Sequence, residues 1–267
     1  MTLLARIAPL PLVSSRRAAR LVERNVMSYR RQWIVLFSGF FEPVFYLLAI
    51  GYGLGSLVPG VTGPDGTQIS YGLFVAPALL ASSAMNGAIY DSTFNVFFKL
   101  RYAKTYDAVL ATPLGVGDVA LGEVTWALIR GTLYAIGFVV VMVAFGLAAS
   151  PWTILALPAA MLIGFGFAAV GMAATTFMRQ WTDFDYIIMV TLPLFLFSAT
   201  FYPIEAYPEG LRAIVAATPL YHGVALLRAL TTGAVDAGLL VHVAYLLVMG
   251  LIGLAIVSRR LDKLLLK

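Results

Sequence analysis

Three ionisable residues lie inside long apolar segments of the chain, where a charge is costly. Glu42, Asp91 and Arg130 each sit several residues from what we predict to be the cytoplasmic end of their segment. At 1.5 Å per residue these depths are roughly 9 to 14 Å, so the three side chains are close enough in level to interact. Charges in such positions usually face a bundle interior and often pair. They predict a charged cluster that closes a pathway or meets a polar head group, or a structural bridge from Arg130 to a carboxylate.

Little else in the sequence points to catalysis. The chain has no cysteine, which excludes disulfides, thiolate metal sites and thiol catalysis. It has no GxxxxGK(S/T) phosphate-binding loop, no HExxH and no GxSxG. Its two histidines, His222 and His242, are interpreted as a polar residue at a helix junction and a buried residue. We therefore expect no catalytic residue, no metal site and no cofactor bound by this chain.

The elements that position these charges are predicted membrane helices. The chain is 61% hydrophobic and 12% charged, whereas soluble domains carry about 25% charged residues. Its mean hydropathy is +0.90. Segments of roughly 20 apolar residues can cross a bilayer. Six such segments are predicted, at 33–57, 71–98, 124–147, 154–177, 186–202 and 237–258. The predicted fold is an all-α integral membrane protein with six transmembrane helices.

Two features of the first segment concern helix packing. Pro43 follows Glu42 directly and should kink the helix, because proline removes a backbone hydrogen bond. The run from Gly51 to Gly55 contains GxxxG spacing, which lets helices approach closely. This spacing fits either a contact between subunits or packing within the chain.

The positive charges predict the orientation. With six spans, 15 of the 18 lysines and arginines lie on one side of the membrane. The positive-inside rule then places both termini in the cytoplasm. An odd number of spans would put the basic C-terminal tail outside. The net charge of +5 is thus a topology signal, and no nucleic-acid partner is expected.

An N-terminal amphipathic helix is predicted over Ser14 to Arg31. A helical period puts its arginines on one side and apolar residues on the other. The first side carries Arg17, Arg20, Arg24 and Arg31, and the second carries Val22, Val26, Tyr29 and Trp33. Such a helix lies at the membrane interface, with its arginines towards lipid phosphates or a cytoplasmic partner.

The segment after the fifth span predicts two half-helices. Glu209 to Ala217 and Leu220 to Leu230 are helical stretches of about ten residues, separated by Thr218 and Pro219. Apolar helices of that length are too short to cross a bilayer and are re-entrant or interfacial. We therefore expect two external re-entrant half-helices between spans five and six, shaping the external mouth of a pathway.

The stretch from Lys99 to Glu123 is the long polar interruption between apolar segments. It carries three cations, a short amphipathic piece from Thr105 to Ala111, then Pro113 and two glycines. A basic loop between spans should face the cytoplasm. We interpret this stretch as the contact segment through which another protein drives this one.

Four stretches resemble the permease subunits of type-2 ABC exporters. The branch in question contains the nodulation-factor (lipo-chitooligosaccharide) and daunorubicin-type drug exporter permeases. The stretches span most of the chain: RNVMSYRRQW with EPVFYLLAIGYGLG (24–55), YGLFVAPALLASSAM (71–85), TYDAVLATPLGVGDVALGEVTWALIRG (105–131) and FLFSATFYPIEAYPEGLRAIVAATPLYHGVALLRALTTG (195–233). The last is the most specific of the four.

The resemblance implies a set of partners and roles. Members of this family dimerise with a second permease subunit and bind two copies of an ABC ATPase, which holds ATP and magnesium. The amphipathic helix, here Arg17 to Arg31, also contacts the ATPase. A coupling helix transmits the movement of the ATPase to the permease. The corresponding positions here are Lys104, Thr105, Tyr106, Asp107, Ala108, Val109, Leu110, Ala111, Thr112 and Pro113. The external gate maps to Pro203 to Leu230, with Pro203, Glu205, Pro208, Pro219, Tyr221 and Arg228 as candidate residues.

The expected protein is therefore an export permease of the bacterial inner membrane for a lipid-like, glycolipid or amphipathic drug substrate. Its parts would be a cytoplasmic N-terminal segment (1–32), a transmembrane domain (33–258) and a basic cytoplasmic tail (259–267). One alternative is a secondary transporter without an ATPase, which usually shows repeat symmetry; no repeat is evident here. A membrane-embedded enzyme or assembly factor is the other alternative.

Overall fold

The computed structural model describes residues 15–29, 41–58 and 60–265. Apart from a two-stranded hairpin, the regular structure in these ranges is helical. The helices are α1 (Ser15–Tyr29), α2 (Phe41–Tyr46), α3 (Tyr71–Tyr90), α4 (Thr105–Leu110), α5 (Val116–Ala144), α6 (Ala156–Thr175), α7 (Phe184–Leu196), α8 (Glu209–Ala217), α9 (Pro219–Thr232) and α10 (Leu239–Leu265). Strands β1 (Val61–Thr62) and β2 (Gln68–Ile69) pair antiparallel.

Shorter turns extend several of these helices. A π-helix over Leu47–Gly53 and a 3-10 turn over Leu54–Ser56 follow α2. The helix that begins as α3 continues through π-helical turns to Tyr102. The 3-10 turns Pro151–Leu155 and Trp181–Asp183 lead directly into α6 and α7, and a separate 3-10 turn lies at Ile204–Ala206.

Four helical stretches within these ranges are long and apolar enough to cross a membrane. They are Tyr71–Tyr102, Val116–Ala144, Pro151–Thr175 and Leu239–Leu265, and a fifth is possible if α8 and α9 together make one span. The predicted first span, 33–57, falls partly outside the described residues. The predicted fifth span is α7, which has only 13 residues. The chain is thus an all-helical, multi-pass membrane protein with four or five candidate spans, and six remains a prediction.

Helix α6 is the centre of the bundle and packs against α3, α5, α9 and α10. Its contact with α10 depends on small residues: a Cβ atom built on Gly253 would lie 2.8 Å from the Ala169 carbonyl carbon. At Gly250, the Phe165 ring occupies the space that a Cβ atom would need. Membrane helices approach this closely only where one of them has a small residue such as glycine at the point of contact.

Helix α1 packs on the start of α5. Ala18, Leu21 and Asn25 are buried, whereas Val26 is 47% exposed. A Cβ atom on Gly122 would lie 2.9 Å from Leu21 Cβ, so only glycine permits this approach. The packed face therefore lies between the arginine side and the apolar side, on which Val22 is half-buried.

Helices α8 and α9 are bent by 85° at the break that the sequence predicted. Pro219 occupies the first turn of α9, where its missing N–H costs nothing. Both helices and their junction are confirmed.

The polar interruption is shorter than predicted, because helices extend into it from both sides. The helix from α3 runs to Tyr102 and α5 begins at Val116, where Lys99 to Glu123 had been expected to interrupt them.

Arg101 Nη2 donates to the Met178 carbonyl at 2.9 Å, and Arg260 Nη2 donates to the Thr176 carbonyl at 3.3 Å. These two cations satisfy carbonyls at the carboxyl end of α6, where helices favour positive charge.

The GxxxG spacing serves packing within the chain. Gly51 approaches the backbone of Gly72, and Gly55 lies against Tyr71 at the start of α3. Of the two interpretations left open by the sequence, the structure contains the intrachain one.

Candidate functional site

Helix α4 is a single short helix held on one end of the bundle, called here the α4 end. Tyr106 is fully buried and Val109 is 8% exposed, so residues three apart anchor the helix by one face. Lys104 precedes the helix in the left-handed conformation, with φ of 45° and ψ of 34°. That conformation is unusual for a residue with a side chain, and it turns the chain sharply from α3 into α4.

The opposite face of α4 is open. Asp107, Ala108, Ala111, Thr112 and Pro113 are exposed, whereas Thr105 and Leu110 are half-buried. The structure thus divides the ten predicted coupling positions into anchors and a free surface. The free surface is what a docked partner could contact, and substitution of Leu110 would test packing instead.

A closed polar triad joins three separate elements beside α4. Lys99 Nζ lies 2.8 Å from Glu123 Oε2 and donates to Asn25 Oδ1 at 3.1 Å. Asn25 Nδ2 donates to Glu123 Oε2 at 3.3 Å. Every member therefore contacts the other two, and the triad ties α1, the end of the α3 helix and the start of α5 together. Sequence reasoning missed it, although Lys99 and Glu123 mark the two ends of the polar stretch.

Tyr106 brings α4 up to this triad. Burial raises the pKa of the Tyr106 phenol well above its usual range, and the neighbouring Glu123 carboxylate adds to this effect. The hydroxyl has no hydrogen-bond partner of good geometry. Helix α4 is therefore fixed by packing against the triad rather than by a hydrogen bond to it.

A cationic cleft of about 480 Å³ separates α1 from α4. Arg20 and Arg24 line it from α1, and Lys104, Thr105 and Ala108 line it from α4. Arg17 is exposed on the same helix, and Arg31 lies outside the described residues. The arrangement can accept an acidic or polar side chain at the α4 end.

Arg130 and Asp91 form a buried ion pair between α5 and the α3 helix. Arg130 Nη1 lies 2.6 Å from Asp91 Oδ1, and both side chains are less than 10% exposed. Arg130 also donates to the hydroxyls of Tyr29 and Tyr134 at 3.3 and 3.2 Å. The expected pairing of Arg130 with a carboxylate is present. Glu42 belongs to α2, but its side chain is outside the described part of the structure.

The last residues of α1 reach this ion pair. The Tyr29 ring lies 5.3 Å from the Trp126 ring, and the Arg130 guanidinium sits 4.8 Å from the Tyr29 ring centroid. Helix α1 therefore contacts α5 over several turns, from Gly122 to Arg130. A movement of α1 would therefore displace residues of both the triad and the buried ion pair.

At the opposite end of the bundle, Arg228 pins three elements together. Its Nε donates to the Phe74 carbonyl at 3.1 Å and its Nη2 donates to the Ala199 carbonyl at 2.8 Å. The guanidinium also lies 3.7 Å from the Phe74 ring centroid, a cation–π contact. This residue, placed in the external gate by resemblance, is a buried crosslink between α9, α3 and the turn after α7.

The other predicted gate residues lie on α9 or in the segment just before α8. Pro203 and Pro208 precede the 3-10 turn and α8, respectively. The Glu205 carbonyl accepts a hydrogen bond from Arg212 Nη2 at 2.6 Å. Tyr221 lies on α9 with its ring edge towards His222. The structure thus gathers all six predicted gate residues around α8 and α9.

Comparison with known proteins identifies relatives of this chain. A family model described as ABC-2 type transporter matches residues 18–231. Nodulation protein J of Rhizobium leguminosarum bv. viciae is 30% identical over 244 residues, covering 89% of this chain and 92% of the relative. Nodulation protein J of Sinorhizobium fredii is 29% identical over 228 residues, covering 84% of each chain. The protein of the same name from Bradyrhizobium diazoefficiens is 28% identical over 246 residues, covering 89% and 91%.

The resemblance read from the four stretches is therefore confirmed. The matched range contains α4, the triad, the buried ion pair and the bent helix pair. Members of the ABC-2 type transporter family are membrane-embedded transport subunits rather than catalytic ones, in keeping with the apolar helices described above. The chain belongs to the ABC-2 type transporter family of membrane permeases.

Proposed function

We propose that this chain is the permease of an ATP-driven exporter, powered by a separate ABC ATPase that docks on α4. The observation that carries the proposal is the closed triad of Asn25, Lys99 and Glu123 beside a helix with one buried and one free face. Two copies of the ATPase would bind ATP and magnesium. No nucleotide chemistry is assigned to this chain.

The triad supports a mechanical role for α4. A push on its free face is passed through Tyr106 and Val109 to the ends of the α3 helix and α5. Because Lys99 and Glu123 clamp those ends together, the two spans tilt as a unit. The element has two states, and ATP-driven closure of the partner biases one of them.

The cationic cleft supports the docking site. Arg20, Arg24 and Lys104 surround an open volume next to the free face of α4. An acidic loop of an ATPase fits this charge, and complementary charge accelerates association and selects a partner. Helix α1 would then contact both the ATPase and membrane lipid.

A second permease subunit is part of the proposal, with α7 at the interface. Among its residues only Phe184 is buried, and Met189 and Val190 are 64% and 55% exposed. At 1.5 Å per residue, 13 residues reach only about 20 Å, less than a bilayer core. A partner helix would cover this face. Because the chain has no cysteine, Val190→Cys tests it, and a disulfide-linked dimer in the membrane is the expected result.

The remaining topology completes the proposal. Six spans place both termini in the cytoplasm of a bacterial inner membrane and put the α4 end inside. Helices α8 and α9 then form the external gate as a re-entrant pair, with Arg228 as its fixed point. The apolar spans suit a lipid-like, glycolipid or amphipathic drug substrate. Pairing of the chain with itself or with a relative would both satisfy this geometry.

Reconstitution with a partner ABC ATPase in proteoliposomes tests the function. The exporter account expects uptake of an amphipathic probe or lipo-oligosaccharide into inside-out vesicles that requires ATP and survives a proton uncoupler. Uptake without any ATPase that collapses with the uncoupler would overturn it in favour of a secondary transporter. A partner variant that binds but does not hydrolyse ATP is the control.

A further inference from the structure

The two histidines of the chain are brought together from different helices. His222 lies on α9 and His242 lies on α10, and their Nδ1 atoms are 2.7 Å apart. The chain has no other histidine. The contact lies at the end of the bundle opposite α4, where the bent helix pair meets the last long helix.

Aromatic contacts hold the two imidazoles in place. The Tyr245 ring stacks on His222 with a centroid distance of 3.9 Å, and its hydroxyl donates to the Ala217 carbonyl at 2.9 Å. The Tyr221 ring meets both imidazoles edge-on. The cluster of Tyr221, His222, His242 and Tyr245 therefore links the end of α8 and the start of α9 to α10.

The chemistry of this contact is set by the number of protons that the pair holds. When both imidazoles are neutral, one Nδ1–H donates to the lone pair of the other Nδ1. One added proton keeps that hydrogen bond and makes it charge-assisted, hence stronger. A second added proton places a hydrogen on both Nδ1 atoms, so the bond is lost and two like charges face each other.

The charged groups around the pair do not remove this behaviour. Asp236, in the turn before α10, is the carboxylate that acts electrostatically on His242. On α9, Arg228 faces away towards Phe74 and Ala199, and Glu205 acts on Tyr221. Tyr221 and Tyr245 are the other ionisable side chains in contact. Within the described residues no group of three or more His, Asp or Glu could hold a metal ion.

We propose that His222 and His242 form a proton-operated latch, which holds the bent helix pair against α10 and releases it when both imidazoles are protonated. The latch holds at neutral and mildly acidic pH. It opens below about pH 5, more than one unit under the ordinary imidazole pKa of about 6.5. Its external location rests on the proposed function, in which α8 and α9 form the outer gate.

Nitrogen NMR tests the shared proton directly. With a histidine-free affinity tag, ¹⁵N-histidine labelling reports only these two side chains. The latch predicts two separate titration steps, each moving the signals of both imidazoles, and a single step for the remaining imidazole in His242→Gln. Two independent, superimposed steps in the unmodified chain would overturn the proposal.

A distance measurement tests the release. Spin labels on Ala213→Cys and Val241→Cys, both at exposed positions, report the separation of α8 from α10. The account expects one short distance at pH 7 and a longer component below about pH 5, and no pH response once His222→Gln and His242→Gln remove both imidazoles. The same pH response in that variant, or none in the unmodified chain, would refute the latch. Neither measurement requires the ATPase, so failure of the latch is separable from failure of the exporter function.

Discussion

Lys99 Nζ lies 2.8 Å from Glu123 Oε2, and this ion pair joins the two ends of the segment that contains α4. The Glu123 side chain is 1% exposed and that of Lys99 is 12% exposed. Removal of one partner of such a buried pair leaves a charge that nothing compensates, whereas removal of both is far less costly. The pair therefore supplies a test that separates stability from coupling.

Lys99→Met should destabilise the folded chain by about 3–5 kcal/mol, because it leaves Glu123 buried without its ammonium partner. Lys99→Met combined with Glu123→Met should recover most of that loss in thermal unfolding, yet leave ATP hydrolysis by the partner uncoupled from transport. Glu23→Gln is the matched control, since the Arg20–Glu23 pair is exposed and is worth about 0–1 kcal/mol. A double variant that regains full coupling would show that the triad is only structural.

Asp91→Asn should also cost about 3–5 kcal/mol, because Arg130 then lacks the carboxylate that lies 2.6 Å away. Exchange of the two charges, Asp91→Arg with Arg130→Asp, should restore most of the stability and transport if the pair is a bridge. Tyr29→Phe is a milder control, expected to lose about 0.5–1.5 kcal/mol with its single hydroxyl contact. Recovery of folding without transport after the exchange would instead point to a role in the pathway.

Some of this architecture was within reach of sequence reasoning. Apolar segments predicted the helices, and Thr218 with Pro219 predicted the break between α8 and α9, because proline favours an extended residue before it. The similar depth of Asp91 and Arg130 predicted that they can meet. These predictions succeeded because each depends on local periodicity or on position along one helix.

Other features depend on which helices become neighbours, and one helix's periodicity does not contain that information. Asn25 and Glu123 are 98 positions apart, and His222 and His242 meet across two helices. The packed face of α1 could not be predicted for a related reason. Its buried side includes the polar Asn25, which hydrophobic patterning assigns to water, while Val26 is exposed.

Lys104→Gly should stabilise the chain relative to Lys104→Ala by about 1 kcal/mol. Both variants lose the ammonium group, but only glycine removes the strain of a left-handed φ of 45°. The difference between their unfolding temperatures measures this strain without interference from the charge. Equal stability of the two variants would mean that the turn into α4 is not strained.

Tyr106→Phe should be tolerated at neutral pH, because the hydroxyl that it deletes is buried without a hydrogen-bond partner. Burial raises the pKa of this phenol, so the neutral form is favoured in the folded state. Its contribution is complete below the ordinary phenol pKa of about 10 and is lost as the pH rises above that value. Stability measured from pH 8 to 12 should therefore fall less steeply in Tyr106→Phe. The exposed Tyr102→Phe is the control and should leave the slope unchanged.

The central claim, that a partner ATPase drives this chain through the free face of α4, is tested most directly by a bulky substitution on that face. Ala108→Arg fills the cleft between α1 and α4, and Thr182→Arg places the same side chain at an exposed position elsewhere at the α4 end. The measurement is ATP hydrolysis by the co-reconstituted ATPase, with expression and thermal stability as checks on folding. The account predicts that Ala108→Arg lowers permease-dependent hydrolysis at least tenfold while Thr182→Arg does not. Unchanged hydrolysis in a folded Ala108→Arg variant would contradict it.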